Sequence, residues 1–425
     1  MTIKQRIMSA ADGLQNLVSG LGTNRGKRAH NQFLLESVGN SWMEMDAAYQ
    51  TNWIVRRICD VPPEDMTREW RAIKSDFAEE IEAEESRVSL KHNCVEAMTW
   101  ARLHGGAAVL MLTNQDLEKP LDVTKIKKGG LERLLVFDRW ELGATTINTT
   151  NPLSENYLLP EHYRVQGGNQ QIHWSHFARF VGARLPRRLM ALTQGWGDSE
   201  VRKCLTDIKD VVSSKDGIAE LMQEANIDTI TREGLSDELA SDQEEAIKKR
   251  YELFSQMKSI VNMALLDSGE TLDRQTLSLS GVAPVMDNLM LWLSGCVGIP
   301  ATKLFGMAPA GLNSTGEGDL NNYYDSIISN RGYALERPLT YLDQVMVRSA
   351  VGQMPDDFDF SWNTLKKANV IEQSQAELIN AQRDRIYLED HVIEINQVQQ
   401  TLQSKEIYQF GEDDLTDGDN FGSDE

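Results

Sequence analysis

The stretch Gly311-Leu312-Asn313-Ser314-Thr315-Gly316 carries its glycines at the spacing of a phosphate-cradling loop and stands in front of a long helical pattern. Such a loop works because backbone N–H groups at a helix N-terminus converge on a phosphate. A lysine reaches the outer oxygens and a hydroxyl holds Mg²⁺. Here Glu317 and Gly318 stand where the lysine and the hydroxyl belong. A carboxylate aimed at a triphosphate repels it, and no strand ends directly before Gly311. A dinucleotide G-x-G-x-x-G pattern is also absent. The expectation is a loop capped into a helix, with Ser314 and Glu317 at the capping-box spacing that Thr315 and Gly318 lack.

His173 and His176 form the pair "HWSH". Paired histidines that bind metal sit at i, i+4 on a helix or i, i+2 on a strand, so three apart in a strand-turn context predicts no metal site. A two-histidine phosphoesterase would need two H-x-[ST] motifs, and only His173-Trp174-Ser175 fits. Acidic pairs such as Glu64-Asp65 and Asp356-Asp357 read as solvated faces. No G-x-S-x-G elbow occurs, and none of Cys59, Cys94, Cys204 and Cys296 stands out as a nucleophile. With no CxxC spacing, the cysteines read as buried free thiols of a reducing compartment. The residues predict no catalytic group, cofactor or metal, and nothing in them demands an enzyme.

The elements that carry these residues can be read along the chain. A length of 425 residues, 41% hydrophobic and 25% charged, suits a globular protein of two to four structural units. The net charge of −21 excludes a broad grip on nucleic acid but allows contact without adhesion. No apolar run approaches the roughly 18 residues of a membrane span, and the N-terminus lacks the apolar centre of a targeting peptide. Residues 1–44 read as a flexible polar arm. A helix through Ala48, Trp53, Ile54 and Ile58 should stop before Pro62-Pro63, since a residue before proline avoids the α region. Residues 79–104 read as one helix, closed by Gly105-Gly106. "AAVLMLT" and "LERLLVFDRW" read as strands, and "EHYRVQGGNQQIHWSHFARFVG" as a hairpin plus a further strand. Residues 198–224 are helical. An insert over 225–281 holds a strand, a helix over 236–262 and two strands around Asp267-Ser268-Gly269. Another helix runs from Val282 to Gly298. After the glycine stretch, a 3.6-residue period continues from Leu320 to Met346, kinked at Pro338. "DDFDFSWNTL" is a strand, residues 366–404 are helical, and residues 409–425 belong to an acidic, disordered tail. The class is α+β, mainly helical.

This order of elements resembles the portal proteins of tailed bacteriophages and prophages over roughly residues 45–405. "YQTNWIVRRICDVPPEDMTREWR" looks like the N-terminal signature of one portal subfamily, and "ARLHGGAAVLMLT" is similar to its helix-to-strand step. "IPATKLFGMAPAGLNSTGEGDLNNYYDSI" resembles the family's passage from the second stem helix through the tunnel loop into the long helix. The resemblance implies a wing over 45–197, a first stem helix over 198–224 and a clip over 225–281. A second stem helix follows over 282–300, then a tunnel loop over 301–319, a long wing helix and strand over 320–362, and a crown over 363–408. The tunnel-loop residues facing DNA would be Gly311, Asn313, Ser314, Thr315, Gly316 and Glu317. Lys303 is the nearest base available to touch a phosphate.

The resemblance further implies a ring, usually of twelve subunits, at one capsid vertex of the virion, assembled in the bacterial cytoplasm. Its partners would be the terminase large subunit, the major capsid and scaffolding proteins, a head–tail adaptor and transient double-stranded DNA, with no membrane. Duplex DNA carries about one charge per 1.7 Å of axis, so an acidic wall would keep it centred and sliding, within a screening length of about 10 Å. Two other readings stand beside this one: a phage-encoded phosphodiesterase or nuclease carried by the histidines, and a non-portal virion structural protein.

Overall fold

The computed structural model of the protein describes residues 42–224, 226–231, 271–276, 281–306, 317–365 and 370–389, with isolated positions at 249, 392–393 and 397–398. The expected polar arm, almost all of the helix expected over 236–262, and the acidic tail lie outside the described residues. The chain divides into a unit of residues 1–362 and a unit of residues 363–425.

Helix α1 spans Trp42–Thr51 and α2 spans Trp53–Arg68. Asn52 starts α2, its side-chain oxygen accepting from the N–H of Ile54 at 2.9 Å. The expected stop before Pro62 does not occur: α2 runs through both prolines. Pro62 cannot donate to the carbonyl of Ile58, four residues back, and the Nε of Arg102 donates to that carbonyl instead at 3.0 Å. The stripe Ile54, Val55, Ile58, Cys59, Pro62, Pro63 and Met66 is buried, so packing outweighs the local break.

Strand β1 is Arg71–Lys74. Where one helix was expected over 79–104, the chain forms α3, Ala78–Arg87, and α4, Leu90–His104. Ser89 adopts a left-handed conformation between them at φ 52°. The turn lets Ile81 of α3 and Leu90, Cys94 and Ala97 of α4 all be fully buried, which one straight helix would not.

Two three-stranded antiparallel sheets follow. Strand β2, Gly106–Thr113, is the centre of the first, flanked by β3, Leu131–Asp138, and by a strand reached later. The second sheet holds β4, Leu142–Ile147, which the sequence pattern had left unassigned, then β5, Pro160–Val165, and β6, Gln171–His173. The chain then returns to the first sheet as β7, Phe177–Val181. Ala108, Leu110, Leu142, Tyr163, Ile172, Phe177 and Trp196 form one buried cluster joining the two sheets. At the end of β7, Gly182 passes so close to α4 that a Cβ there would collide with the carbonyl oxygens of Ala101 and Asp198.

Short helices α5, Arg187–Leu192, and α6, Glu200–Lys203, lead into α7, Leu205–Glu224. The helix expected over 198–224 therefore carries a step at Cys204. Strands β8, Asn226–Thr231, and β9, Thr271–Thr276, pair antiparallel and bring the two ends of the insert together. Helix α8, Val282–Val297, packs on α7, with the indole Nε1 of Trp292 donating to Asp207 at 3.2 Å. Gly298 caps it at φ 67°. Cys59, Cys94 and Cys204 are buried free thiols as expected, but Cys296 on α8 is exposed.

Helix α9 is Ala301–Leu304 and α10 is Glu317–Arg331. A π-helical turn over Gly332–Glu336 joins α10 to α11, Arg337–Val351. At Pro338, where a kink was expected, the missing N–H falls where the wide turn hands over to regular helix. Strand β10, Asp359–Trp362, pairs with β1, and Arg71 of β1 lies between α3 and α11. Its guanidinium donates to Glu85 at 2.8 Å and to Asp343 at 2.7 Å, all three side chains being buried. The second unit contains helix α12, Val370–Glu389, shorter in the described residues than the helix expected over 366–404.

Candidate functional site

The residues on either side of the glycine stretch converge on one carboxylate. Asp65 lies on α2, Lys303 on α9 and Tyr323 on α10. The Nζ of Lys303 donates to Oδ1 of Asp65 at 2.7 Å, and the hydroxyl of Tyr323 donates to Oδ2 at 2.9 Å. Lys303 also lies 5.1 Å from the ring centre of Tyr324, and the guanidinium of Arg68 lies 5.1 Å from the same ring centre. Arg57 donates to the carbonyl of Lys303. Burial, reinforced by the Asp65 carboxylate, pushes the Tyr323 phenol far above its ordinary range, so it stays a donor. Asp65 is 6% exposed, which corrects its reading as part of a solvated face. The expected stop before Pro62 hid it, because Asp65 lies on the part of α2 beyond both prolines.

Of the residues expected to face DNA, Gly311, Asn313, Ser314, Thr315 and Gly316 lie outside the described residues. Glu317 is the first residue of α10. Lys303 is an anchor in this structure, its ammonium bonded to both oxygens of Asp65.

The histidines form a second constellation. His162 on β5 and His173 on β6 are direct cross-strand partners, their ring centres 5.2 Å apart. Sequence spacing did not bring His162 into view, because register across a hairpin placed it there. Nδ1 of His173 lies 2.8 Å from Oγ of Ser175 and accepts from the Ser175 N–H at 3.3 Å. Ser175 Oγ in turn accepts from the N–H of Leu121 at 2.7 Å. Nε2 of His176 donates to the carbonyl of Lys119 at 2.9 Å, leaving its Nδ1 buried without a partner. Burial holds His173 and His176 below the ordinary imidazole value, so both are neutral at pH 7. Chemically, His173 is a neutral base with a hydroxyl beside it and a second imidazole across the strand. Tyr163 and Arg164 follow His162, so the second H-x-[ST] motif is not completed.

Among the described residues no group of three or more His, Cys, Asp or Glu side chains is arranged to hold a metal ion. No described helix is long and apolar enough to cross a membrane.

A family model described as "Phage portal protein" matches residues 43–386. A protein of Caulobacter sp. (strain RHG1) named "Anti-CBASS protein Acb1" is 33% identical over 89% of this chain, and one of the same name from Sphingomonas paeninsulae is 31% identical over 92%. The chain spans 62% and 64% of the length of these two relatives. A solved structure described as "Neck of native GTA particle computed with C12 symmetry" is 11% identical, with a TM-score of 0.49 over 82% of this chain and 89% of that one.

Proposed function

This chain belongs to the phage portal protein family, and on that premise we propose that it forms a ring at one capsid vertex and serves as the conduit for double-stranded DNA. The family match over residues 43–386 is the observation that carries this reading. In it, α7 and α8 are the paired stem helices, the insert over 225–281 is the clip that meets the terminase large subunit and later the head–tail adaptor, and residues 301–319 are the tunnel loop. The ring would also bind the major capsid and scaffolding proteins. Catalysis would belong to the packaging ATPase rather than to this chain. A net charge of −21 per chain suits a wall along which DNA slides. The Asp65–Lys303 pair fits the same purpose, because it neutralises the base nearest the loop. Imaging and mass measurement of the purified protein test the proposal. A ring with a central hole is expected; a monomer under every assembly condition overturns it.

The names of the two curated relatives speak more directly for a second reading, an anti-defence protein, to which we join a phosphodiesterase activity carried by the histidines. The pairing of His162 with His173, and of His173 with Ser175, gives that reading its only constellation in the described residues. More than a third of each relative has no counterpart in this chain, so their activity is transferable only as a proposal. Turnover of bis(p-nitrophenyl) phosphate by the purified protein, abolished in both His173→Ala and His162→Ala, would establish it. Absence of turnover in a folded wild-type protein would remove it.

A further inference from the structure

Strand β7 is apolar except for one residue. Phe177, Ala178 and Phe180 are buried, and Arg179 stands among them, opposite Ala108 of β2. Its guanidinium stacks 3.9 Å from the ring centre of Trp196. The Nε is buried with no hydrogen-bond partner, and one terminal nitrogen makes a long contact of 3.4 Å to the carbonyl of Gln194. No carboxylate lies within ion-pair distance of Arg179 among the described residues. Arg179 as a whole is half-buried, and a guanidinium stripped of part of its water gains from a counter-anion. Burial lowers its pKa, yet an arginine remains charged at any physiological pH.

The backbone is shaped around this charge. Gln194 and Gly195 are consecutive left-handed residues, at φ 56° and 79°. A Cβ on Gly195 would collide with Leu159 and crowd both terminal nitrogens of Arg179. The glycine leaves the guanidinium open toward a cavity of about 580 Å³. Alternation along β7 puts Phe177 and Val181 on the same lining as Arg179. From α11 the cavity receives Arg337, exposed and without an ion-pair partner among the described residues, and the ring of Tyr341. Trp174 and Tyr333 add flat apolar surface. Among the described residues Glu155 is the only acid in the lining and is exposed, so the two arginines leave this lining net positive.

We propose that this cavity is a binding site for an organic oxyanion: a phosphate or carboxylate head group held by Arg179 and Arg337, on a flat body lying against Trp174 and Tyr333. Planar guanidinium groups pair with two oxygens at once, which suits both head groups. A volume of this size holds a small ligand rather than a single ion. The site owes nothing to either functional reading above, and lies apart from the Lys303 anchor.

The test titrates the full-length protein with phenyl phosphate, benzoate and the neutral control benzyl alcohol, read by tryptophan fluorescence and calorimetry. Saturable binding of phenyl phosphate or benzoate is expected, whichever binds more tightly identifying the head group, with benzyl alcohol bound at least about tenfold more weakly. Arg337→Gln, at an exposed position, should weaken binding about tenfold with an unchanged circular dichroism spectrum. Arg179→Lys, which keeps the charge and loses the planar fork, should weaken it further. No saturable binding by either anion up to about 10 mM overturns the proposal. So does equal binding of benzyl alcohol, or affinity unchanged in both variants.

Discussion

Lys303 and Asp65 are separated by 238 residues of chain and meet at 2.7 Å. Tyr323, on the far side of the glycine stretch, meets the same carboxylate at 2.9 Å. Helices α9 and α10, on either side of residues 307–316, thus meet one acidic side chain on a third element. Asp65→Asn should remove the charge that holds Lys303. Breaking a well-buried pair costs about 3–5 kcal/mol, and Lys303 keeps 22% of its side chain exposed, so a loss of about 1–3 kcal/mol in urea unfolding is expected. The freed ammonium should also raise retention of DNA at low salt, an increase that disappears at high salt. Unchanged retention at low salt would exclude Lys303 from any contact with phosphate.

The buried Arg71 joins β1, α3 and α11 through Glu85 and Asp343. Arg71→Met leaves two carboxylates buried without their cation, and a loss of about 3–5 kcal/mol is expected from chemical denaturation. Adding Asp343→Leu and Glu85→Gln to that variant should restore part of it, because the unpaired charges are then gone. A single variant as stable as the parent would mean that the triad is dispensable.

Three histidines set a pH dependence. Burial holds His104, His173 and His176 below the ordinary value of 6.5. The unfolded chain therefore binds protons at pH values where the folded chain does not. Stability from these groups is full above about 6.5 and falls as the pH drops toward their folded values, by at most about 1.4 kcal/mol per unit for each. Urea midpoints measured between pH 7.5 and 5.5 should decline, and His176→Phe should flatten the decline. A midpoint constant across that range would contradict the burial argument.

Gly182 has no room for a side chain between α4 and Asp198. Gly182→Ala should lower stability by about 1–3 kcal/mol, the cost of overpacking a close contact. Thermal unfolding reads it directly, and an unchanged midpoint would mean that β7 can move away from α4.

Shortening Gly311–Gly318 should leave ring formation intact and reduce the DNA retained in particles. Particles with an unchanged genome content would remove the tunnel-loop assignment from these residues.

Much of this architecture was legible in the residues. The period from Leu320 to Met346, the Gly298 cap and the apolar run of β2 each follow from short-range pattern; the structure has the last two, and has the first with a π-helical turn set into it over Gly332–Glu336. Pro62 misled because its cost is local, whereas the side chain that satisfies the freed carbonyl, Arg102, lies on another helix. His162 and Asp65 were missed for the same physical reason. One became relevant through cross-strand register and the other through partners more than 200 residues away. Arg179 lies in a segment read only as a strand, and what marks it out is that no carboxylate lies within ion-pair distance of it among the described residues.

The π-helical turn over Gly332–Glu336 sets the angular phase between α10 and α11. In an unbroken α-helix each residue advances about 100°, so positions 323 and 343 would face roughly 200° apart. Yet Tyr323 reaches Asp65 and Asp343 reaches Arg71, and both targets lie on one short run of chain. The two side chains thus meet targets six residues apart in the chain from positions on either side of the π-helical turn. Deleting one residue from the turn would rotate Leu339, Leu342, Val345 and Met346 together by about 100° out of the core. Chain length is therefore constrained at this turn as well as side-chain identity, since Leu335 is fully buried and Glu336 accepts from the indole of Trp362.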